Sequence, residues 1–464
     1  MHHPALAPEA ATRAPAPFRA LASWTLFDWS AQPYYTLILT FLFAPYFATT
    51  VVGDPAHGQT LWGYAAAAAG IVIAIGSPLL GARADGRGRR KPWIALFSLI
   101  FMACLATLWL AEPGAPKTTI WLVLGAFVVA TAAVEFTTVF TNAMMPTLVP
   151  HEQLGRLSGF GWGVGYAGGL VSLAIVAGLI VANPATGKTI LGLDPIVKLD
   201  AISHVGDRLV GPFSAVWYLI FMIPFFLFVP DIRATSRPIG VASRSATAEL
   251  WDTIKSLPSH PDMLFFLIAR MIYSDGLSAI FAFGGIYGAA TFGWGPLELG
   301  IFGIILTLTG VFGAIIGGFL DDRVGSKTVI LVSLLLLIAG ALGILSVDKS
   351  HVLFTTEVAP KLDGSSAFSS QGERVFLAFA VLVGLVAAPV QAASRALLAR
   401  LAPPDKVTQY FGLFAFSGKV TAFMAPFAVA TVTAITGSQR YGMASILLFL
   451  VAGILLMLPV RAQR

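Results

Sequence analysis

The sequence GARADGRGRR, at Gly81–Arg90, separates two apolar segments and has a counterpart, GFLDDRVGSK, at Gly318–Lys327. Asp85 aligns with Asp322 when the two stretches are compared. A short charged loop that recurs between apolar segments indicates an internal repeat, an arrangement common in membrane transporters. The sequence therefore predicts a chain built from two related halves.

The composition predicts a membrane protein. Of the 464 residues, 57% are hydrophobic and 11% are charged, and the mean hydropathy is +0.81. Because globular domains contain about 25% charged residues, this composition excludes a soluble protein. Cys104 is the single cysteine and lies in an apolar run, so neither an internal disulfide nor a thiolate metal site is expected.

Twelve apolar runs are each long enough, at roughly 20 residues, to cross a bilayer as a helix. The predicted spans are 20–49, 60–82, 92–111, 119–142, 156–182, 212–230, 262–290, 297–320, 327–346, 374–399, 409–436 and 440–460. Most Lys and Arg residues, including the cluster Arg83–Lys91, fall on the side of the two termini, which predicts that both termini are cytoplasmic. This placement explains the net charge of +6 without a nucleic-acid partner.

The spans divide the chain into four parts. Residues 1–17 are expected to form a disordered cytoplasmic tail, 18–231 an N-terminal six-helix bundle, 232–261 a cytoplasmic linker, and 262–464 a C-terminal six-helix bundle. Within the linker, Leu250, Trp251, Ile254 and Leu257 share one face of a predicted amphipathic helix. That helix could lie on the membrane surface or pack on the bundle, and the sequence favours neither.

Three further pairs of segments support the repeat. Asp28 pairs with Asp275, NAMMPTLVP at 142–150 with RALLARLAP at 395–403, and SGFGWGVGY at 158–166 with FGLFAFSGK at 411–419. In these comparisons Asn142 corresponds to Arg395, and Tyr166 corresponds to Lys419. The halves therefore differ in charge at equivalent positions.

The repeated loop resembles the signature of the major facilitator superfamily. The residues that carry this resemblance are Gly81, Asp85, Arg87, Gly88, Arg89 and Arg90 in the first copy, and Gly318, Asp322, Arg323, Gly325 and Lys327 in the second. The first copy departs from the pattern at Gly86, where an arginine is usual. The resemblance implies an all-α fold of twelve helices, in which this loop belongs to a cytoplasmic gate.

Longer stretches narrow the resemblance to the vacuole-effluxer branch of that superfamily. FDWSAQPYYTLILTFLFAPYF at 27–47, FTNAMMP at 140–146, SGFGWGVGYAGG at 158–169 and SRALLARLAP at 394–403 are similar to its sequences. Thr141 and Ser274 depart from it, since tyrosine and asparagine are common there. The resemblance implies a transporter, and characterised vacuolar members export amino acids. For this chain we expect the bacterial inner membrane and no enzymatic activity.

The charges inside the predicted spans are Asp28, Glu135, Arg270, Asp275, Arg395 and Lys419. A charge within the bilayer costs roughly 2.5–3.5 kcal/mol on insertion scales, so each is a candidate functional residue. The predicted spans 3, 6, 9 and 12, which face outward in this superfamily, carry none in their interiors. Polar residues on the same helices extend the candidate site to Gln32, Tyr35, Asn142, Tyr273 and Gln391.

The first half contributes only acids to this set, and the second contributes three bases with one acid. A small zwitterion such as an amino acid suits such a cavity, because an arginine can bind its carboxylate and an acid its ammonium group. Asp28 or Glu135 could take up and release a proton in each transport cycle, which would make the proton the coupling ion. We expect a monomer without cofactor or metal, in contact with membrane lipid and a small-molecule substrate.

Two alternatives remain open from the sequence. The charges could form salt bridges that open and close a gate, or static structural pairs, without touching substrate. In that case the transported solute could be larger, such as a vitamin or sugar, with aromatic residues stacking on it. These aromatic residues are Trp24, Trp29, Tyr34, Tyr35, Trp162, Tyr166 and Tyr273.

Overall fold

A computed structural model describes residues 14–86, 88–183, 186–231, 246–361 and 366–461. Within these ranges, eleven helices are long and apolar enough to cross a membrane. Most of the predicted tail, Arg87 of the repeated loop and residues 232–245 of the predicted linker lie outside the described residues. The all-helical architecture agrees with the prediction, whereas the eleventh predicted span, 409–436, takes a different form.

The first half contains seven helices, several of which are flanked by short 3-10 or π-helical segments. They are α1 (Phe18–Pro33, continuing as a π-helix at Tyr34–Phe41), α2 (Phe43–Tyr46, followed by a π-helix at Phe47–Val51), α3 (Pro55–Asp85), α4 (Lys91–Thr107, then a 3-10 turn at Leu108–Leu110), α5 (Lys117–Leu148), α6 (Leu154–Ile175, preceded by a 3-10 turn at His151–Gln153 and followed by a π-helix at Val176–Ile180) and α7 (Val205–Phe228).

A short helix, α8 (Ala246–Ser256, followed by a 3-10 turn at Leu257–Ser259), precedes the second half. The remaining elements are α9 (Pro261–Phe292), α10 (Pro296–Val324), α11 (Ser326–Leu345), a two-stranded antiparallel hairpin of β1 (His351–Val352) and β2 (Thr356–Glu357), α12 (Gln371–Leu401), α13 (Val407–Ser417), α14 (Met424–Thr436), α15 (Gln439–Ala444) and α16 (Ile446–Met457).

The predicted span 409–436 is two helices, α13 and α14, joined by a turn at 418–423. Glycine disfavours a helix interior, and Gly418 stands at the C-terminal cap of α13. Pro426 has no backbone N–H, so it cannot bond to the carbonyl of Ala422 four residues earlier. The apolar pattern of this span conceals both helix breakers, which explains why eleven rather than twelve long helices are found.

The two halves meet along two helix pairs, α3 with α13 and α6 with α10. Glycine permits the contact in both, because an added Cβ would collide with backbone of the opposite half. At Gly81 it would lie 2.5 Å from the carbonyl oxygen of Thr408, and at Gly159 it would lie 2.5 Å from that of Ala314. At Gly318 it would lie 2.8 Å from the carbonyl oxygen of Gly155.

These contacts lie toward the side of the bundle at which the described chain begins and ends, here called the terminal side. There the backbone N–H of Ala16 donates to Leu148 at the end of α5, and that of Arg461 donates to Asp262 at the start of α9. The loop after α3 is on the same side. The two halves are therefore in direct backbone contact at their terminal side.

Candidate functional site

A cavity of about 420 Å³ lies between the two halves, within the range of roughly 300–1,000 Å³ that is usual for small-molecule sites. Ten of the eleven residues predicted for substrate binding or coupling line it. The first half contributes Asp28, Gln32, Tyr35, Glu135 and Asn142, and the second contributes Arg270, Tyr273, Gln391, Arg395 and Lys419. The remaining one, Asp275, does not line this cavity.

Arg395 on α12 bridges the halves at the floor of the cavity. Its Nη1 lies 3.0 Å from Oδ2 of Asp28 on α1 and donates to Oδ1 of Asn142 on α5 at 3.2 Å. Its Nε and Nη2 donate to the hydroxyl and carbonyl oxygens of Ser158 on α6, at 2.8 and 2.6 Å. The guanidinium also lies over the ring of Trp24. Each of its nitrogens therefore has a partner in the first half.

A second ion pair joins the halves nearby. Nζ of Lys419, in the turn between α13 and α14, lies 3.1 Å from Oε1 of Glu135 on α5. Both side chains are more exposed than Arg395, at 33% for Lys419 and 18% for Glu135. Partial exposure weakens a salt bridge through solvent screening, so this pair is the more easily exchanged of the two.

Arg270 on α9 is a cavity cation with a different set of contacts. Its Nη1 donates to the carbonyl oxygen of Phe414 at 2.6 Å and to the hydroxyl of Ser417 at 2.8 Å. The guanidinium carbon lies 3.3 Å from the centre of the Phe414 ring. Among the described residues it has no carboxylate in salt-bridge contact, although Glu135 is near enough to interact electrostatically. Arg270 thus leaves one positive charge in the lining without a paired anion.

Neutral polar groups complete the wall. The hydroxyl of Tyr273 shares a 2.6 Å hydrogen bond with that of Ser394, one residue before Arg395. Nε2 of Gln391 donates to the hydroxyl of Tyr166 across the two halves at 3.3 Å. Such groups are suited to orienting a bound solute, and they give the lining the polar character that the sequence predicted.

Asp275 lies on another face of α9. Two residues along a helix are separated by about 200° around its axis, so Asp275 points away from Tyr273 and the cavity. Its side chain is buried, and its Oδ2 has no hydrogen-bond partner in the part of the chain that the structure describes.

The repeated loop caps a helix of the opposite half. The carboxylate of Asp85 accepts hydrogen bonds from the backbone N–H groups of Thr408 and Gln409, at 3.1 and 2.8 Å, at the start of α13. The N-terminal N–H groups of a helix lack partners within it and carry a partial positive charge, which makes a carboxylate a good cap. Arg90 holds the Asp85 carboxylate at 3.5 Å and donates to the carbonyl oxygen of Ala143 at 2.7 Å.

In the second copy of the loop, an aspartate of the second half caps a helix of the first half. Oδ1 of Asp322 accepts from the backbone N–H of Arg156 near the start of α6, and Oδ2 lies 2.6 Å from Nε of the same arginine. Arg400 adds a 2.5 Å contact to Asp321 and donates to the carbonyl oxygen of His151 in the first half. The two aspartates that align in the sequence are therefore related in their contacts as well.

The other residues of the loop signature have distinct places. Gly81 and Gly318 make the close backbone contacts described above, while Gly88 and Gly325 adopt φ values of +79° and +86°. Such positive φ values favour glycine because it lacks a Cβ. Nζ of Lys327 donates to the carbonyl oxygen of Leu458. Arg89 and Arg323 are exposed, and Arg87 is outside the described residues.

Several residues that complete these networks were not identified from the sequence. Ser158, Arg156, Asp321 and Arg400 are the main examples. Ser158 lay within a quoted motif, but a serine in a glycine-rich helix gives no sign of its partner. Arg156 and Arg400 stand at helix ends, where a basic residue is expected from the positive-inside rule alone.

Two helical halves around a charged cavity, joined at one side by reciprocal helix caps, define a secondary transporter of the major facilitator class. A family model described as "Vacuole effluxer Atg22 like" matches residues 52–464. The chain belongs to this Atg22-like family of major facilitator transporters.

Relatives support this assignment. The chain is 25% identical over 438 residues to an "Uncharacterized MFS-type transporter YxiO" of Bacillus subtilis, covering 94% of this chain and 93% of that protein. It is 26% identical over 318 residues to an "Autophagy-related protein 22" of Cryptococcus neoformans, covering 67% of this chain and 53% of that protein. The chain thus spans about half the length of that fungal relative.

Solved structures show the same fold at low sequence identity. A variant of the E. coli fucose:proton symporter FucP superposes with a TM-score of 0.69 at 13% identity, covering 96% of this chain and 99% of that one. The proton:xylose symporter XylE gives 0.68 at 13% identity, covering 95% and 94%. As a member of the Atg22-like transporter family, the protein is a multi-pass membrane protein that moves a small molecule by alternating access and is not an enzyme.

Proposed function

We propose that this transporter carries a small zwitterion, an amino acid, and that its transport is coupled to protons. The observation that supports the substrate class is the unpaired cation of Arg270 in a cavity whose other charges are paired. A partly buried guanidinium with free hydrogen-bonding capacity is a strong site for a carboxylate, which it can bind through two parallel hydrogen bonds.

The ammonium group of such a substrate would be bound by Glu135. This carboxylate interacts with Arg270 electrostatically and is held by Lys419 through a partly exposed pair. An incoming ammonium group can replace the Lys419 amine at Glu135 because both are cations of similar hydrogen-bonding capacity. Substrate binding would then loosen one of the two ion pairs that join the halves.

The contacts on the terminal side fit the alternating-access cycle. We propose that this side is cytoplasmic in a bacterial inner membrane, as the distribution of Lys and Arg suggests. The Asp28–Arg395 pair and the caps at Asp85 and Asp322 would hold it closed while the cavity loads from the opposite side. We further propose that one monomer is the functional unit, because the cavity lies wholly within one chain.

A thermal-stability screen of the purified protein tests the substrate class. Each amino acid is compared with the amine that lacks its carboxylate and with its N-acetylated acid. A ligand that binds only the folded state stabilises it by about 2.7 kcal/mol at a hundredfold excess over its Kd. We expect stabilisation by amino acids and not by either analogue, since each analogue lacks one of the two charges.

The substitution Arg270→Gln supplies the matched test. Removing one partner of a buried, hydrogen-bonded charge pair costs about 2–5 kcal/mol, which corresponds to binding roughly 30-fold weaker or more. The control Arg374→Gln changes an exposed arginine that lies outside the cavity lining and donates to the carbonyl oxygens of Phe368 and Ser369. Stabilisation by sugars or vitamins that survives Arg270→Gln would overturn the zwitterion proposal and leave the charges as a gate.

A further inference from the structure

Asp275 is a buried carboxylate that the substrate cavity does not use. Its side chain is 2% exposed, and its Oδ2 has no partner among the described residues. One turn earlier on α9, the carbonyl oxygen of Met271 accepts a 3.4 Å hydrogen bond from the hydroxyl of Thr421. Residues four apart share a helix face, so Asp275 faces the turn at 418–423 that separates α13 from α14.

That turn is the least regular part of the adjoining span. Lys419 and Ala422 donate to carbonyl oxygens three residues earlier, and Met424 donates to Thr421 in the same way at 2.7 Å. Three-residue hydrogen bonds have poorer geometry than those of an α-helix. Segments with few regular backbone hydrogen bonds open at lower free energy than helix interiors. Asp275 is therefore covered by a segment that can move at low cost.

No charged group in the described chain balances Asp275. The helices packed against α9 are α10, α12, α13, α14, α15 and α16. Of these, α14 and α16 contain no ionisable side chain, and α13 contains only Tyr410.

The ionisable residues of the other elements have partners elsewhere or are exposed. On α10 and α12 they are Glu298 and Glu373 (both near Lys361), Asp321 and Asp322 (held by Arg400 and Arg156), Arg323 (exposed), Arg374 (bonded to Phe368) and Arg395 (paired with Asp28). On α15 and the turn they are Arg440 (near Asp348), Tyr441 (exposed) and Lys419 (paired with Glu135). On α9 itself they are Asp262 (bonded to Arg461), Arg270 (bonded to Phe414), Tyr273 (bonded to Ser394) and Tyr287 (stacked on the Phe376 ring).

A carboxylate ion in such surroundings is unfavourable. Burial of a charge without a counter-ion or a full set of hydrogen bonds costs several kcal/mol, so the group is neutralised by a proton instead. Asp28 and Glu135 differ in this respect, because each is paired with a cation. Among the intramembrane acids, Asp275 is the one whose surroundings favour the protonated form.

We propose that Asp275 is the proton-carrying residue of this transporter, and that the 418–423 turn controls its access to water. The turn carries Lys419, which Glu135 of the opposite half holds at 3.1 Å. When that pair opens, the turn is released and water reaches the carboxyl group. The O–H bond of the acid then breaks, its proton passes to water, and the carboxylate remains until it takes a proton from water on the other side.

This inference rests on the proton coupling proposed above, but its first test needs no substrate. Infrared difference spectroscopy of the purified protein detects the C=O stretching band of a protonated carboxylic acid. We expect this band near neutral pH in the unsubstituted protein and its loss in Asp275→Asn. The control Asp194→Asn, which changes an outer carboxylate that is 87% exposed, should keep the band. A band that Asp275→Asn leaves unchanged would overturn the proposal.

The second test separates coupling from transport in proteoliposomes, with whichever solute the stability screen identifies. Asn resembles the neutral acid in size and hydrogen bonding, so we expect Asp275→Asn to retain solute exchange and to lose accumulation driven by a pH gradient. Asp275→Glu, which keeps the acid, should retain both. Gradient-driven accumulation that persists in Asp275→Asn and disappears in Asp28→Asn would assign the proton to Asp28 instead and refute this inference.

A sodium ion is the competing occupant of a buried carboxylate beside irregular backbone. Stabilisation by NaCl over KCl that depends on Asp275 would overturn the proton assignment. Failure of these tests would leave the substrate proposal intact, because Arg270→Gln and the stability screen address a different face of α9. Conversely, a substrate without charged groups, such as a sugar, would contradict the zwitterion proposal without altering the infrared result.

Discussion

The carboxylate of Asp28 and the guanidinium of Arg395 lie 3.0 Å apart and connect the first helix of one half with α12 of the other. The hydroxyl and carbonyl oxygens of Ser158 and the side-chain oxygen of Asn142 accept further hydrogen bonds from the arginine. An added Cβ at Gly161 would lie 2.5 Å from Oδ2 of Asp28, so a glycine is needed where the pair crosses α6. This pair is therefore built into a contact that holds the halves together.

A double-mutant cycle should measure the strength of that connection. We expect Asp28→Asn and Arg395→Gln to be coupled by about 0.5–3 kcal/mol in thermal or denaturant unfolding, as is usual for residues in one network. The exposed pair of Lys188 and Asp194 serves as a control and should couple by about 0–1 kcal/mol. Equal coupling in the two cycles would show that the Asp28–Arg395 pair is not a structural connection.

Glycine substitutions should open the terminal side. Gly81→Ala places a methyl group against backbone of α13, with 2.5 Å to the carbonyl oxygen of Thr408 and 2.8 Å to the Cα of Gln409. Backbone atoms of a packed helix pair cannot move aside without separating the halves. We expect faster alkylation of a cysteine introduced in this interface, measured in otherwise cysteine-free protein.

Gly70→Ala is the matched control, because Gly70 is on the same helix and an added Cβ meets no atom within 4 Å. This substitution should leave alkylation unchanged and should stabilise α3 slightly, since alanine is a better helix former than glycine by about 1 kcal/mol. Faster alkylation in both variants would attribute the effect to the helix and not to the interface.

The two helix caps should respond separately. Removal of the side-chain cap in Asp85→Ala costs roughly 0.5–2 kcal/mol and exposes the N–H groups of Thr408 and Gln409. Hydrogen exchange should therefore accelerate at the start of α13. In Asp322→Ala the acceleration should appear at the start of α6, near Arg156. Acceleration at the same peptides in both variants would contradict two independent caps.

The helix α8 should stabilise the closed terminal side through its hydrogen bonds to Lys406 and Gln409. The hydroxyl of Thr253 donates to Oε1 of Gln409 at 3.2 Å, and the backbone N–H of the same glutamine donates to Asp85. A hydrogen bond of this kind contributes about 0.5–1.5 kcal/mol. We expect Thr253→Val to raise hydrogen exchange in α8 by about 2- to 10-fold, with Thr436→Val as a control on α14. Unchanged exchange would show that α8 is held by its other contacts, which include a 3.4 Å hydrogen bond from Nε2 of Gln409 to the carbonyl oxygen of Glu249.

The sequence predicted much of the helical fold because its physical signals are local. Apolar runs identified the long helices, and the cost of a charge in lipid identified Asp28, Glu135, Arg270, Arg395 and Lys419 as one group. All five line a single cavity. These residues can be recognised without tertiary information because a charge in the bilayer is energetically costly. Such a charge is therefore found only where it has a function or a partner.

Other features depend on tertiary structure and were not predictable. Asp275 was grouped with the cavity residues because it is charged, and only the rotation of α9 shows that it faces the turn instead. In the sequence, Arg156 and Arg400 resemble ordinary loop charges. Arg156 bonds to Asp322, 166 residues away, and Arg400 bonds to Asp321, 79 residues away, so their role depends on tertiary structure. The break at Gly418 is a local signal that the surrounding apolar residues obscured.

The close contacts at Gly81, Gly159 and Gly318 are made by main-chain atoms, whose shape is the same whatever the neighbouring side chains are. The part of the seal that these glycines form is thus chemically separate from the surface that meets the solute. Substitutions of lining residues that form no ion pair across the halves can change which molecule is accepted without altering these backbone contacts. The backbone seal and the residues that select the solute can therefore vary separately, except at the Asp28–Arg395 pair, which belongs to both.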